Sequence, residues 1–323
     1  MKTINEIRLG LTEFRDDVHR GQLYQRLGIE LGQFVADIKL TPATAVELPD
    51  DTDGISDLLA ELNEGMQAGE LEDIADEQLV TLLEHLGSPD LQVRDRGIFF
   101  FFNDALQRKI FTSEQLRLAF NYLIQDRILF NHILENENDA VYGRSFAVMI
   151  LSLLLYADRI GYKFLEPEMV ERLISQMTVY VAAEQDTRGW IGTNGWAHAF
   201  THIGNILDEL NENDLLPRSD KIFFMSLLFA RYKHLQTPLV AGETERVASY
   251  FVDIMDKNPL YSDYFLMELK ELRRETVMAP APIDEGAWNK IFNRNRLTQA
   301  FLLRDDLPEE IEEFLRSTRD YMG

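Results

Sequence analysis

An all-α fold, arranged as a right-handed stack of antiparallel helix pairs, is what the sequence predicts, and three observations carry the prediction. Apolar residues recur at spacings of three and four along nearly the whole chain, and no stretch alternates convincingly as a strand would. Glycine and proline fall mainly between the periodic blocks rather than inside them. Of the 323 residues 46% are hydrophobic, enough to give such helices a buried core.

The periodicity places a first helix at residues 3–20 and a second, weakened by Gly28 and Gly32, at 21–39. Residues 41–54, TPATAVELPDDTDG, combine two prolines, acids and a glycine and read as a loop. Short helices follow at 55–64 and 76–85. The helices then lengthen: 89–108, 113–126, 139–162, 167–184, 195–211, 220–235, 243–257 and 262–275. Consecutive helices joined by short turns suggest antiparallel pairs stacked side by side. Thr112-Ser113-Glu114, Glu166-Pro167-Glu168 and Ser219-Asp220 each set a capping or first-turn residue ahead of an apolar run. Residues 279–286, APAPIDEG, form a linker, and amphipathic helices at 287–303 and 308–321 dock back as a terminal cap. The expectation is one all-helical domain over 1–323: an N-terminal helical cap to residue 75, a helical-repeat core over 76–278, and the linker with its C-terminal cap over 279–323.

The most apolar run, FAVMILSLLLYA at 146–157, is flanked by Arg144, Asp158 and Arg159. A membrane span needs ~20 residues, so this reads as a buried core helix. The N-terminal MKTINEIRLGLTEFRDD carries scattered charges and no apolar block, unlike a signal peptide, and no Asn-Xaa-Ser/Thr sequon occurs. A cytoplasmic protein is expected. Lys plus Arg is 32 against 55 Asp plus Glu, a net charge of −23 that repels phosphate backbones and anionic lipid. The partner is therefore expected to be a protein or peptide, neither nucleic acid nor membrane. The absence of cysteine removes disulfides, thiolate zinc sites and thiol nucleophiles, leaving His, Asp and Glu as the available metal ligands.

Common catalytic signatures, GxSxG, HExxH, the P-loop and GxGxxG, are absent. The acidic turn at Asp50–Gly54 only superficially resembles a calcium loop: with Gly54 in the sixth position, Pro49 would occupy the first and Ala60 the twelfth. Residues 82–98, LLEHLGSPDLQVRDRGI, end one helix at Gly87, turn through Ser88-Pro89-Asp90 and restart with Val93 facing inward and Arg94 and Asp95 able to pair across turns. This looks like the inter-helix turn of HEAT-type repeats, giving a HEAT-like α-α superhelix, and equally like an ordinary helical hairpin with Pro at its first position. The turn does not recur at a fixed period.

Residues 186–210, DTRGWIGTNGWAHAFTHIGNILDEL, carry most of the candidate chemistry. With Asn194 as N-cap, a helix from Gly195 puts Trp196, Phe200, Ile203, Leu207 and Leu210 within a sector of about 80°. His198 and His202 then lie one turn apart on another face, at about 0° and 40°, with Glu209 at about 20° and Asn205 at about −60°. Those histidines, with Glu209 or a carboxylate from another helix, form a candidate metal set; otherwise the stripe is the wet or partner-facing side of the helix, and no metal and no cofactor is the leading expectation. On this register the histidines turn away from Trp196, so replacing both by Ala should leave the core intact. The remaining histidines, His19, His85, His132 and His234, are scattered. Trp190 and Trp196 bracket a loop containing Gly189, Gly192 and Gly195, either as an aromatic wall for a small ligand or peptide or as plugs of the core. A second polar cluster, NDAVYGRS, holds Asn138, Asp139, Arg144 and Ser145. Asp139 suits a cap or first-turn acid, and Arg144, one turn into a buried helix, calls for a carboxylate such as Asp186 or Asp95.

The succession LLEHLGSPDLQVRD, NDAVYGRSFAVMILSLLLY and DTRGWIGTNGWAHAFTHIGNILDEL resembles a bacterial family, domain of unknown function 2785, over roughly residues 75–240. The GW-x-HA-x-x-H and RSF elements are the most specific parts. The resemblance implies an all-helical, repeat-like protein of bacteria such as Firmicutes, and no activity. Its polar elements map to Asp139, Arg144, Ser145, Trp190, Trp196, His198 and His202; where this chain has Asn205 the family often has an acid, which weakens a metal site there. Two functional classes remain. A non-enzymatic scaffold would bind a protein or peptide on a concave helical surface. An enzyme, including a metal-assisted hydrolase, would use His198 or His202 as general base in a pocket at the GWIGTNGWAHAFTH segment. Histidines pointing into such a pocket would favour the enzyme, and histidines facing solvent the scaffold.

Overall fold

A computed structural model of the protein describes residues 2–317, and the chain is all-α, with fifteen α-helices among the described residues and one two-stranded sheet. It divides into two compact units. One comprises Met1–Lys39, Met177–Thr187 and Ile203–Gly323; the other comprises Leu40–Gln176 and Arg188–His202.

In the first unit α1 (Ile4–His19) starts with a capping box, Thr3 accepting from the Glu6 amide while the Glu6 carboxylate accepts from the Thr3 amide at 2.7 Å. It and α2 (Leu27–Ala36) pack on α11 (Arg218–Lys233), which is buried nearly all round and forms the centre of this unit. The predicted cap at Ser219-Asp220 is displaced: α11 starts at Arg218 and Asp220 is buried, where Arg15 Nε donates to it at 2.7 Å and His19 lies 2.6 Å away. Helices α12 (Glu243–Lys257), α13 (Pro259–Met278), α14 (Glu285–Leu302) and α15 (Glu309–Ser317) complete the unit. Asn258 and Asp284 cap α13 and α14. Residues 318–321 of the predicted final helix lie outside the described residues.

The second unit is built around α8 (Val141–Ala157), against which α5 (Phe100–Arg108), α6 (Ser113–Leu123), α7 (Asp126–Leu129) and the 3-10 turn His85–Gly87 pack. A π-helical turn, Asp158–Tyr162, extends α8 to a 22-residue run containing an 18-residue window of mean hydropathy 1.3, long and apolar enough to cross a membrane by length and composition alone. In the structure it is the core helix of its unit, with Arg144 buried among its apolar residues. Helices α3 (Ile55–Ala68) and α4 (Asp76–Glu84) precede it, and residues 41–54 form the expected loop, tied down where Thr41 N donates to Leu134 O at 2.9 Å. The predicted helix 89–108 is not one α-helix: residues Gln92–Phe99 wind as a π-helix before α5 begins. There Gly97 has no room for a Cβ, which would fall 2.5 Å from Leu59 Cδ1. The chain passes from one unit to the other within α9 (Pro167–Ala183) and again within α10 (Ala199–Glu212).

Candidate functional site

The predicted helix from Gly195 is replaced by a hairpin. Trp190–Ile191 (β1) pairs antiparallel with Gly195–Trp196 (β2), and α10 starts only at Ala199. The physical reason lies in the glycines: Gly192 and Gly195 hold φ of +47° and +80°, left-handed geometry that a helix start cannot use. Asn194 is therefore part of the turn, its amide donating to Ile191 O at 2.8 Å, and not a helix cap. The ladder continues outward, Ala197 N donating to Gly189 O at 2.8 Å and His198 N to Arg188 O at 3.3 Å.

What fixes the hairpin is Arg94, which is fully buried. From the π-helix its Nη1 donates to Ser88 O, and its Nη2 donates to Asn194 O at 2.6 Å and to Trp196 O at 3.0 Å. The guanidinium also lies over the rings of Tyr142 and Phe146, 4.3 and 5.0 Å from their centroids. Burial pushes the guanidinium below its ordinary value, opposed by Asp95, whose carboxylate is 3.9 Å away. The first turn of α8 packs under the hairpin, with Val141, Tyr142, Ala197 and Ala199 in one buried cluster that Ile191 joins. The sequence pattern offers Arg94 as one of a pair with Asp95 across turns, and Asp95 also as a partner for Arg144. Nothing local marks a bond to carbonyls a hundred residues on.

Above this base sits a continuous aromatic stack. Trp190 meets Trp196 edge-on at 4.9 Å, and the His198 ring lies parallel to Trp196 at 3.9 Å. Trp190 is 53% exposed, Trp196 and His198 are half-buried, and Trp190 Nε1 donates to Gly192 O at 2.8 Å. The tryptophans are thus a surface feature and not plugs of the core. His198 faces Trp196 instead of turning away from it, and it stands ahead of α10 with φ +52°.

His202 lies neither on a wet face nor in an open pocket. It is buried, its Nδ1 donates to Ser145 O at 2.8 Å, and its ring meets Phe146 edge-on at 5.1 Å. Burial pushes it down to about 3, so it is neutral at physiological pH. Replacing it by Ala would strip the Ser145 carbonyl of its donor and open a hole, contrary to the expectation of an indifferent stripe. The two histidine rings are 6.2 Å apart. Glu209 lies seven residues beyond His202, about 10 Å further along the axis of α10, too far for one metal ion. No group of three or more His, Asp or Glu side chains arranged to hold a metal occurs among the described residues. Asn205 accepts from Arg246 Nε at 2.5 Å, and Arg246 also pairs with Asp208.

Neither Asn138 nor Asp139 caps α8 through its side chain, since Ala140 is the N-cap; Asn138 forms a turn just ahead of the helix, its Oδ1 accepting from Ala140 N at 3.1 Å and its Nδ2 donating to Asn136 O at 2.8 Å. Asp139 contributes its carbonyl, to Tyr142 N. Arg144 Nη1 reaches Asn138 Oδ1 at 3.3 Å and Asn131 O at 3.4 Å. Arg188 Nη2 donates to Asn138 O at 2.7 Å, joining this cluster to the base of the hairpin. Seven of the eight candidates, Asp139, Arg144, Ser145, Trp190, Trp196, His198 and His202, belong to one unit; Asp186 belongs to the other, where its amide donates to Glu184 Oε1 at 2.9 Å.

Residues 129–303 match the family model described as "Protein of unknown function (DUF2785)", more than half of the chain. The chain belongs to that family. The DUF2785 match begins after Arg94 and Asp95 and runs through the linker and α14, later at both ends than the resemblance read from the sequence. No curated relative and no solved structure matches the chain.

Proposed function

We propose that this DUF2785 protein is a cytoplasmic, non-enzymatic binding scaffold, that its helices stack in HEAT-like fashion, and that the Trp190–Trp196–His198 surface takes a protein or peptide. The observation that supports this most is the pairing of a half-exposed Trp190 with a backbone held rigid from below by buried Arg94. An aromatic anchor on an immobile support loses little entropy on binding, which is the property of interface hot spots. The acidic chain selects a neutral or cationic partner and disfavours nucleic acid and anionic membrane.

The experiment compares quantitative native co-purification of the wild type with Trp190→Ala and His198→Ala, after melting curves establish that all three fold alike. The scaffold reading expects a defined partner whose recovery falls at least tenfold in Trp190→Ala. An unchanged partner set in both variants contradicts it.

One observation favours an enzyme as second reading. Burial raises the Asp95 carboxyl above its ordinary range, against the pull of Arg94 and nearby His198, and a carboxyl shifted in this direction near an imidazole is a candidate acid–base pair. Hydrolysis of an ester, amide or phosphoester by the wild type, abolished in both Asp95→Asn and His198→Ala, would put this reading first.

A further inference from the structure

The unit that lacks the hairpin contains a pocket of about 410 Å³ between α13, α14 and the strap of residues 279–283 that joins them. Its lining inverts the character of the chain. In a protein of net charge −23, Lys233, Lys290 and Arg294 enter this one pocket with a single carboxylate, Glu275. His234 also lines it but adds no charge: burial pushes it down to about 4, and its Nδ1 bonds Ala230 O at 2.7 Å.

The one acid is already engaged, since Lys233 Nζ donates to both Glu275 oxygens at 3.1 Å. Arg294 Nη1 donates to a neutral group, Thr276 Oγ1, at 2.9 Å, and its Nε is buried without an acceptor. Lys290, half-buried, forms no ion pair among the described residues. Two cations are left short of negative charge at a concave surface whose remaining walls are apolar, from Leu272, Ile291 and the Ala-Pro-Ala-Pro-Ile strap. Partly buried cations at a concave surface gain from an anion that completes them, and the volume suits a small molecule.

We propose that this pocket binds an organic carboxylate, with its anionic head between Lys290 and Arg294 and its apolar body against the strap. The strap argues against a bare inorganic anion, which would gain nothing from proline and isoleucine walls. The site is independent of the hairpin surface, so either proposal can fail alone.

The test is calorimetric titration of the full chain with octanoate, octanol and inorganic phosphate, repeated on Lys290→Gln, Arg294→Gln and Trp190→Ala. The expected result is one octanoate per chain, with octanol and phosphate each at least tenfold weaker. Both pocket variants should lose at least tenfold in octanoate affinity, and Trp190→Ala should bind as the wild type does. Absence of octanoate binding up to the order of 10 mM overturns the proposal. So does octanol or phosphate binding as tightly as octanoate, or octanoate affinity unchanged in Lys290→Gln. Should Arg294→Gln fail to fold, Lys290→Gln decides, because Lys290 holds no partner that the fold depends on.

Discussion

At the scale of single residues, Arg94 and His202 carry the most structural consequence, and the sequence made one of them legible. His202 is visible as a candidate, but its burial is not, because it stands at the edge of the apolar sector of α10, about 40° from Ile206, and the period alone cannot say whether a flanking polar residue is enclosed. Arg94→Met should cost about 2–4 kcal/mol in denaturant unfolding, because it strips donors from the Ser88, Asn194 and Trp196 carbonyls. A loss under about 1 kcal/mol would mean that the hairpin stands without it. His202 gives a pH signature. Its ordinary value is 6.5 and its folded value about 3, so below pH 6.5 the unfolded chain takes up a proton that the folded one refuses. The stability it confers is complete above about 6.5 and falls as the pH drops toward 3. His234, at about 4, acts in the same direction. Asp208, raised by burial to about 6, opposes them, its contribution being present below 3.8 and lost as the pH rises toward 6. The His202 share is isolated by comparison with His202→Gln, which can still donate to Ser145 O. Between pH 6 and 4 the wild type should lose up to about 1.4 kcal/mol per pH unit more than this variant, read from unfolding midpoints at each pH; parallel curves would contradict a buried neutral imidazole.

At the scale of elements, helix positions were readable wherever capping chemistry and period agreed. Helix α12 spans the predicted 243–257, α6 starts at the predicted Ser113 behind the Thr112 box, and α9 starts at Pro167. The errors occur where local and tertiary demands diverge. The π-helix at Gln92–Phe99 has an ordinary helical sequence and departs from α geometry in the turn that carries Arg94 inward. The hairpin is masked because Trp196 continues the apolar period of α10, which carries the expected helix back to Gly195. Its two left-handed glycines differ in surroundings, which yields a paired prediction. A Cβ on Gly195 would stand 2.9 Å from Leu91 Cβ and 3.5 Å from Arg94 Nη2, whereas one on Gly192 would meet nothing within 4 Å. Gly192→Ala should therefore cost only the backbone penalty, roughly 1 kcal/mol, and Gly195→Ala that penalty plus a clash, roughly 2–4 kcal/mol. Equal melting temperatures for the two variants would refute the close seating of β2 on the π-helix.

At the scale of the whole molecule, composition and period give the all-α class, and motif order gives the family, whereas the proposed function rests on surfaces that no motif announces. The exposed Trp190, the support beneath it and the basic pocket are each assembled from residues far apart in the chain, so their chemistry appears only once the fold joins them. Whether the hairpin presents a recognition surface is decided by site-specific photocrosslinking. A benzoylphenylalanine replacing Trp190 is compared in intact cells with one replacing Tyr156, which is 42% exposed on α8 of the same unit. A discrete protein adduct is expected from position 190, absent from position 156 and suppressed when His198→Ala is added. Identical adduct patterns from both positions, or none from position 190, would contradict it.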